Sequence, residues 1–306
     1  MGNIKSDDII FSYPRKDVLK SLSFNAQAFK ITYLSGENGV GKTTWIKIAT
    51  GRLKPLKGSV TFGGKSIDEV RNSLSVVLDE PPVYENLNGY DNLIALSGIR
   101  KLDKHFQAEL LKTLKLDDVL MKTKTKGFSL GQRHRLAVAA ALIRKPQYLI
   151  LDEPTIGLDP FSWGLIKKQL QDMAKMGAAI LLTGHDFHQI SEIADNIVIV
   201  KDGMAVRETS TSQLKASSKQ YLEILVDKPN LVLENFNTSE VKIINNTTYI
   251  SIPITEENGI NIILRTLFSL NISVYHIETR TSSLRDIYEE IIQDNVTQER
   301  GLREYV

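Results

Sequence analysis

The chain of 306 residues contains no cysteine, which excludes disulfides, thiolate metal sites and cysteine nucleophiles. Long hydrophobic runs are missing too. The longest candidate, Leu136 to Ile143, is less than half of the roughly 20 residues that span a bilayer. The amino-terminal MGNIKSDD lacks the apolar stretch of a secretory signal, so none is expected. Neither sign of charge dominates: 38 Lys and Arg face 36 Asp and Glu, a formal net charge of +2. That balance does not suit a chain whose main business is nucleic acid. What remains is an ordinary globular composition, 42% hydrophobic and 24% charged, which excludes disordered, collagen-like and small stapled chains. At roughly 150 residues per domain the expectation is two domains in a cytosolic protein, each with a core of its own. Met1-Gly2-Asn3-Ile4-Lys5-Ser6 fits the permissive myristoylation pattern on Gly2, and we read the match as coincidence.

Along the first half, short apolar runs alternate with helical stretches, the pattern of an α/β fold around a largely parallel sheet. Lys30 to Leu34 reads as a buried strand, Lys42 to Thr50 as a helix closed by Gly51, and Asp91 to Lys126 as helical. Tyr148 to Leu151, Ala178 to Thr183 and Asn196 to Val200 read as further strands, with Asp202-Gly203 as a hairpin turn. The Ser-, Thr- and Lys-rich stretch Ser210 to Lys219 reads as a linker. Beyond it come a strand (Tyr221 to Val226), a short helix, and two strands (Val241 to Ile244 and Thr248 to Pro253) around an Asn-Asn turn. A helix (Gly259 to Leu270), a strand (Ile272 to Ile277) and a helix (Leu284 to Ile292) follow, with a frayed polar end from Asp294. This β-α-β-β-α-β order is the ferredoxin-like arrangement.

Gly36-Glu37-Asn38-Gly39-Val40-Gly41-Lys42-Thr43 reads G-x-x-x-x-G-K-[ST] between an apolar strand and a helix. Such glycines let successive backbone N–H groups turn onto phosphate oxygens, and the helix amino terminus adds partial positive charge. Lys42 would reach the β- and γ-phosphates, and the Thr43 hydroxyl would ligate Mg²⁺. An ordinary glycine turn is the plainer reading, and the strand and helix on either side weigh against it. Leu149-Ile150-Leu151-Asp152-Glu153 ends an apolar strand in two acids, at the strand end that opens onto the ligand crevice in such sheets. Asp152 would hold Mg²⁺, and Glu153 would orient and deprotonate an attacking water. Phe128-Ser129-Leu130-Gly131-Gln132 opens a helix, with Gln132 20 residues before Asp152. Alone it reads as a helix cap; its place before the acidic strand suggests an anion-binding helix start.

Taken together, GENGVGKTT, FSLGQRHR, LILDEP, GLDP and TGHD resemble, in order and spacing, the motifs of the ATP-binding subunit of an ABC transporter over about residues 1–205. The resemblance implies an ABC nucleotide-binding domain over 1–212, with a helical subdomain at about 84–145, then an accessory α+β domain over 220–306. It implies that ATP and Mg²⁺ bind, with Gly36, Glu37, Asn38, Gly39, Val40, Gly41, Lys42, Thr43 and Thr44 around the phosphates and Tyr13 stacked on adenine. Ser129 and Gly131 would grip the γ-phosphate held by a second ATP-binding subunit. Asp159 would lie at the dimer seam, and His185 would contact the γ-phosphate. The implied partners are a second ATP-binding subunit and a separate transmembrane permease, without nucleic acid, which places the chain in the cytoplasm against the inner face of the membrane.

Two departures point to one branch. Phe128 and Leu130 stand where the signature usually has Leu and Gly, and the usual Gln before the helical subdomain is replaced by Asp79, or by Glu80 next to it. Both resemble the subunits that serve exporters of peptides, antibiotics and ions, as does Ser283-Leu284-Arg285-Asp286-Ile287 near the carboxyl terminus. The rival reading is a soluble ABC ATPase acting on ribosomes or DNA; one cassette, with no room for a long coiled coil between Lys42 and Asp152, argues against it. In the added domain a regulator site competes with a structural cap. The segment from Arg100 to Lys126, eight Lys and Arg against four Asp and Glu, reads first as a solvated face and second as a permease- or lipid-facing one.

Overall fold

The computed structural model describes residues 2–99, 104–156, 158–184, 187–236, 240–244, 247–255 and 259–291. Among the described residues, the first part of the chain holds the strands β1 (Ile4–Tyr13), β2 (Lys16–Ala26), β3 (Ile31–Ser35), β4 (Lys57–Phe62), β5 (Leu74–Val77), β6 (Tyr148–Leu151), β7 (Ala179–Gly184), β8 (Asn196–Lys201) and β9 (Met204–Ser210). Six form one sheet in the order β5-β6-β7-β3-β8-β9. The pairings among the first five are parallel, and β9 returns antiparallel on β8. Strands buried on both faces need unbroken apolar runs, and β3, β6 and β7 are buried at every position. Asp202-Gly203 makes the expected tight hairpin, both residues having positive φ, 49° and 80°.

Because those five strands run the same way, their carboxyl ends share one edge. Ser35 pairs with Gly184, Leu151 with Leu182, and Val77 with Leu151. The segments that follow β3, β5, β6 and β7 therefore start side by side, although they lie far apart in sequence. The strands β2, β1 and β4 form a second, antiparallel sheet, which the alternating burial of β1 and β2 announces and the reading above did not anticipate. Its apolar face joins a core around Trp45, Phe24, Phe62 and Leu181. The indole Nε1 donates to Ser6 Oγ at 3.0 Å, which satisfies the buried polar end of Trp45.

Between β5 and β6 the chain is helical, with helices at Gly89–Ser97, Lys104–Thr113, Asp118–Met121 and Leu130–Leu142. Asn92, fully buried, ties this region together. Its amide donates to the carbonyls of Tyr84 and Asn88 at 3.0 Å each and to Thr125 Oγ1 at 3.2 Å, and its Oδ1 accepts from Tyr84 N at 2.7 Å. A buried amide with all these bonds made specifies one loop conformation.

The chain divides into two compact units, residues 1–211 and 212–306. The second holds β10 (Gln220–Val226), β11 (Glu240–Ile244), β12 (Thr247–Ile254) and β13 (Val274–Thr281), an antiparallel sheet in the order β11-β12-β10-β13. Helices Pro229–Asn235 and Ile260–Ser269 contribute Val232, Ile263 and Leu267 to its own core with Leu222, Ile224 and Ile252. Two expectations need correction. The supposed linker contains a helix, Thr211–Ala216, because Thr211 donates from its N–H to Asp195 O at 2.9 Å and from its hydroxyl to Ala194 O, and Leu214 is buried. The last strand begins at Val274 and not Ile272, since Ile272 N closes the preceding helix on Leu267 O at 3.1 Å. The Asn-Asn turn and the polar end from Asp294 lie outside the described residues.

Candidate functional site

The glycine-rich loop leaves β3 and enters the helix Lys42–Ala49 at Gly41, whose φ is 114°. A Cβ there would come within 2.5 Å of Leu19 Cδ2, so both conformation and space demand glycine. Gly39 has φ 80° and nothing within 4 Å of a Cβ; it faces open space. Lys42 is 6% exposed. Its Nζ donates to Gly36 O at 2.6 Å and Glu37 O at 3.1 Å and lies 3.7 Å from Glu153 Oε1. Burial pulls its pKa down, against the charges of Glu153 and Asp152. A cation so placed, poor in water, is a ready counter-charge for an anion in the cleft. That cleft, about 270 Å³, is lined by Tyr13, Lys16, Asn38, Gly39, Thr44 and Glu153, among others.

Next to the loop, Thr43 Oγ1 donates to Asp152 Oδ2 at 3.2 Å, and Thr183 Oγ1 donates to Asp152 Oδ1. Asp152 is 1% exposed. Burial raises its pKa, and the negative charges of Asp79 and Glu153 add to the rise, while the Thr183 and Thr43 bonds oppose it. The backbone turns sharply at Glu153, φ 47°, a left-handed conformation that costs energy in a non-glycine residue and clusters at functional sites. Glu153 N donates to Thr183 Oγ1 at 3.2 Å. Sequence reasoning missed Thr183; the available signal was a hydroxyl residue at the carboxyl end of the strand that carries TGHD. Asp79 follows β5, and its Oδ1 accepts from Glu80 N at 2.9 Å.

Thr43 and Asp152 present hard oxygens in contact with each other beside a buried lysine, which fits a divalent cation carried with phosphates. Among the described residues no group of three or more His, Cys, Asp or Glu could hold a metal ion alone.

Other expected residues lie elsewhere. Ser129 caps the helix Leu130–Leu142: its Oγ accepts from Gln132 N at 3.2 Å while Gln132 Oε1 accepts from Ser129 N at 2.8 Å. Asp159 caps the helix Pro160–Lys175, accepting from Ser162 N at 2.9 Å and Ser162 Oγ at 2.6 Å. The Ser162 bonds hold its carboxyl below the usual range. Arg135 Nη1 donates to the same Ser162 Oγ at 2.7 Å, joining the two helix starts. Ser129, Gly131 and Asp159 are not among the residues lining the phosphate-loop cleft. His185 lies outside the described residues, as does any contact it makes.

Among the described residues no helix is long and apolar enough to cross a membrane. Residues 19–156 match the family model described as ABC transporter. An ABC transporter ATP-binding protein of Bacillus subtilis is 29% identical over 303 residues, 95% of this chain and 97% of that protein. A lantibiotic transport ATP-binding protein of Streptococcus pyogenes is 32% identical over 207 residues, 67% of this chain and 90% of that protein. A solved structure from Clostridium perfringens, described as cbiO1, part of the ABC transporter complex cbiONQ, aligns with TM-score 0.60 and 28% identity. The alignment covers 70% of this chain and 90% of that one. With the phosphate loop, the acid pair and these likenesses together, the chain belongs to the ATP-binding subunits of the ABC transporter family, and is an ATPase that drives transport.

Proposed function

We propose that the chain powers export of a peptide antibiotic or similar compound, as one of two ATP-binding subunits held on the inner face of the cell membrane by a separate permease. The observation that carries this reading is the convergence of Lys42, Thr43, Asp152 and Glu153 at one edge of the parallel sheet. The likeness to a lantibiotic transport protein supports the cargo class, and the transport names of the relatives do not favour a ribosome- or DNA-acting ATPase. Tyr13, 40% exposed beside the cleft, stacks on adenine. The N–H groups from Gly39 to Thr44 wrap the phosphates, and Lys42 exchanges its carbonyl partners for phosphate oxygens. Thr43, Asp152 and, on the far side, Asp79 would hold Mg²⁺, which when bound neutralises charge growing on the phosphates. Glu153 orients the water and takes its proton, and His185 contacts the γ-phosphate. Ser129 and Gly131 complete the site of the other subunit, with Asp159 at the seam. Residues 1–212 form the ABC domain, its helical subdomain about 84–145, and 220–306 an accessory ferredoxin-like domain.

The test is Glu153→Gln. A general base contributes roughly 10²–10⁴-fold, so hydrolysis should fall by that factor while ATP binding stays, and the variant should collect as an ATP-bound dimer in sizing experiments. Turnover within about threefold of wild type, against the 10²–10⁴-fold expected of a lost base, removes Glu153 from the role.

A further inference from the structure

One buried hydroxyl joins the two acids of the site. β7 runs parallel to β6 with Leu182 opposite Leu151. Asp152 and Glu153, the next residues after β6, therefore come up against Thr183, the next residue of β7. Thr183 is fully buried. A backbone N–H can only donate, so Thr183 Oγ1 is the acceptor in its 3.2 Å bond with Glu153 N. Its single proton then goes to Asp152 Oδ1. This turns the Asp152 carboxylate: Oδ1 lies on Thr183, and Oδ2 is left toward Thr43 Oγ1, 3.2 Å away. The same oxygen bears on Glu153 through its main chain. Glu153 has φ 47°, a left-handed conformation that a non-glycine residue keeps only where its surroundings fix it. The bond to Thr183 fixes the peptide on the amino side of that turn. Ile156 N, donating to Glu153 O at 3.1 Å, fixes the peptide on the carboxyl side.

We propose that Thr183 is a positioning residue for hydrolysis: by accepting from the Glu153 N–H and donating to Asp152, one hydroxyl aims both acids. This rests on the reading of Glu153 as the base. Thr183 acts through the acids and not on the nucleotide. The phosphate loop has bonds of its own, such as Lys42 Nζ to Gly36 O at 2.6 Å, so losing the hydroxyl should misaim the acids and leave the phosphate cradle intact. A packing role makes the opposite demand. In a fully buried slot a methyl group is worth more than an unpaired hydroxyl, so packing ranks Val above Ser at this position, whereas aiming ranks Ser above Val.

The experiment uses the full chain. It measures single-turnover hydrolysis and KM for ATP in excess Mg²⁺, and the affinity for a non-hydrolysable β,γ-imido analogue of ATP in EDTA. Thr183→Val removes the hydroxyl at nearly constant shape. Misplacing a reacting group by about 1 Å costs on the order of 10²-fold, so kcat should fall by that order while KM and the EDTA affinity stay. Thr183→Ser keeps both bonds and should return kcat to near wild type. If Thr183→Val fails to fold, Thr183→Ala against Thr183→Ser makes the same comparison, since those two differ in the hydroxyl alone. A Val variant as active as wild type, a Ser variant no better than Val or Ala, or an EDTA affinity that falls in step with kcat each overturns the proposal. In a Glu153→Gln chain the added loss from Thr183→Val should shrink, because the aimed group is gone; an undiminished loss overturns the route through Glu153. The two failures are separable. Hydrolysis lost in Glu153→Gln but kept in Thr183→Val overturns the positioning role alone, while hydrolysis kept in Glu153→Gln overturns the reading of Glu153 and the role drawn from it.

Discussion

Asp152 is a carboxylate placed where water cannot solvate it, 1% exposed and held by two threonine hydroxyls. Its pKa is raised, first by burial, so its proton is linked to folding. In the window above the ordinary Asp value of about 3.9, the unfolded chain has released this proton and the folded chain still holds it. Raising the pH through that window up to the raised folded value therefore removes stability. Asp152→Asn keeps an acceptor for Thr183 and has no charge to bury. Its unfolding midpoint should exceed that of wild type by a margin that grows from the acid side of the window to neutral pH. Thermal melts of both proteins without nucleotide across that range check it; a constant offset would assign the difference to packing. The same variant should lose hydrolysis, since a destabilising group at a site is often the functional one.

The other residues proposed for the site sit at helix starts. Ser129 with Gln132 forms a reciprocal cap, and Asp159 caps the helix Pro160–Lys175 while Arg135 reaches the Ser162 that it binds. Capping is a local property; the cap at Ser129 was read from the sequence, whereas the one at Asp159 was not, although Asp-Pro is a helix-start signal. A cap does not by itself distinguish holding a helix from meeting a partner. The distinction is experimental at Asp159. Asp159→Ala should lower the unfolding midpoint by a few degrees through loss of the cap. Asp159→Asn retains an acceptor for Ser162 N and should recover the midpoint without recovering ATP-dependent dimer formation in sizing experiments. Recovery of both would reduce Asp159 to a cap.

At the scale of the molecule, the residues expected to act on one nucleotide are divided between two places on the chain, the cleft at Lys42 and the helix start at Ser129. If the site is completed by a second copy, Lys42→Ala and Ser129→Arg should each be inactive alone, and mixing them should restore one intact site per mixed dimer. ATPase activity measured against mixing ratio, with mixed dimers verified, checks this; a flat zero at every ratio means the site is not shared in this way. The phosphate loop, its helix from Lys42 and the strand Tyr148–Leu151 were readable in advance, because each depends on consecutive residues whose glycine, capping and apolar pattern act locally. The antiparallel sheet of β1, β2 and β4 was not read. Neither was Thr183 on Asp152, nor the helix inside the polar stretch after Ser210. Those depend on which strands become neighbours. Sequence alone determined that a phosphate loop and an acid pair exist and in what order. Only the tertiary structure, by pairing β5 with β6, β6 with β7 and β7 with β3 in parallel, decided that residues 43, 79, 152 and 183 share one edge, because non-local strand order is set by packing of the whole sheet and not by any local run of residues.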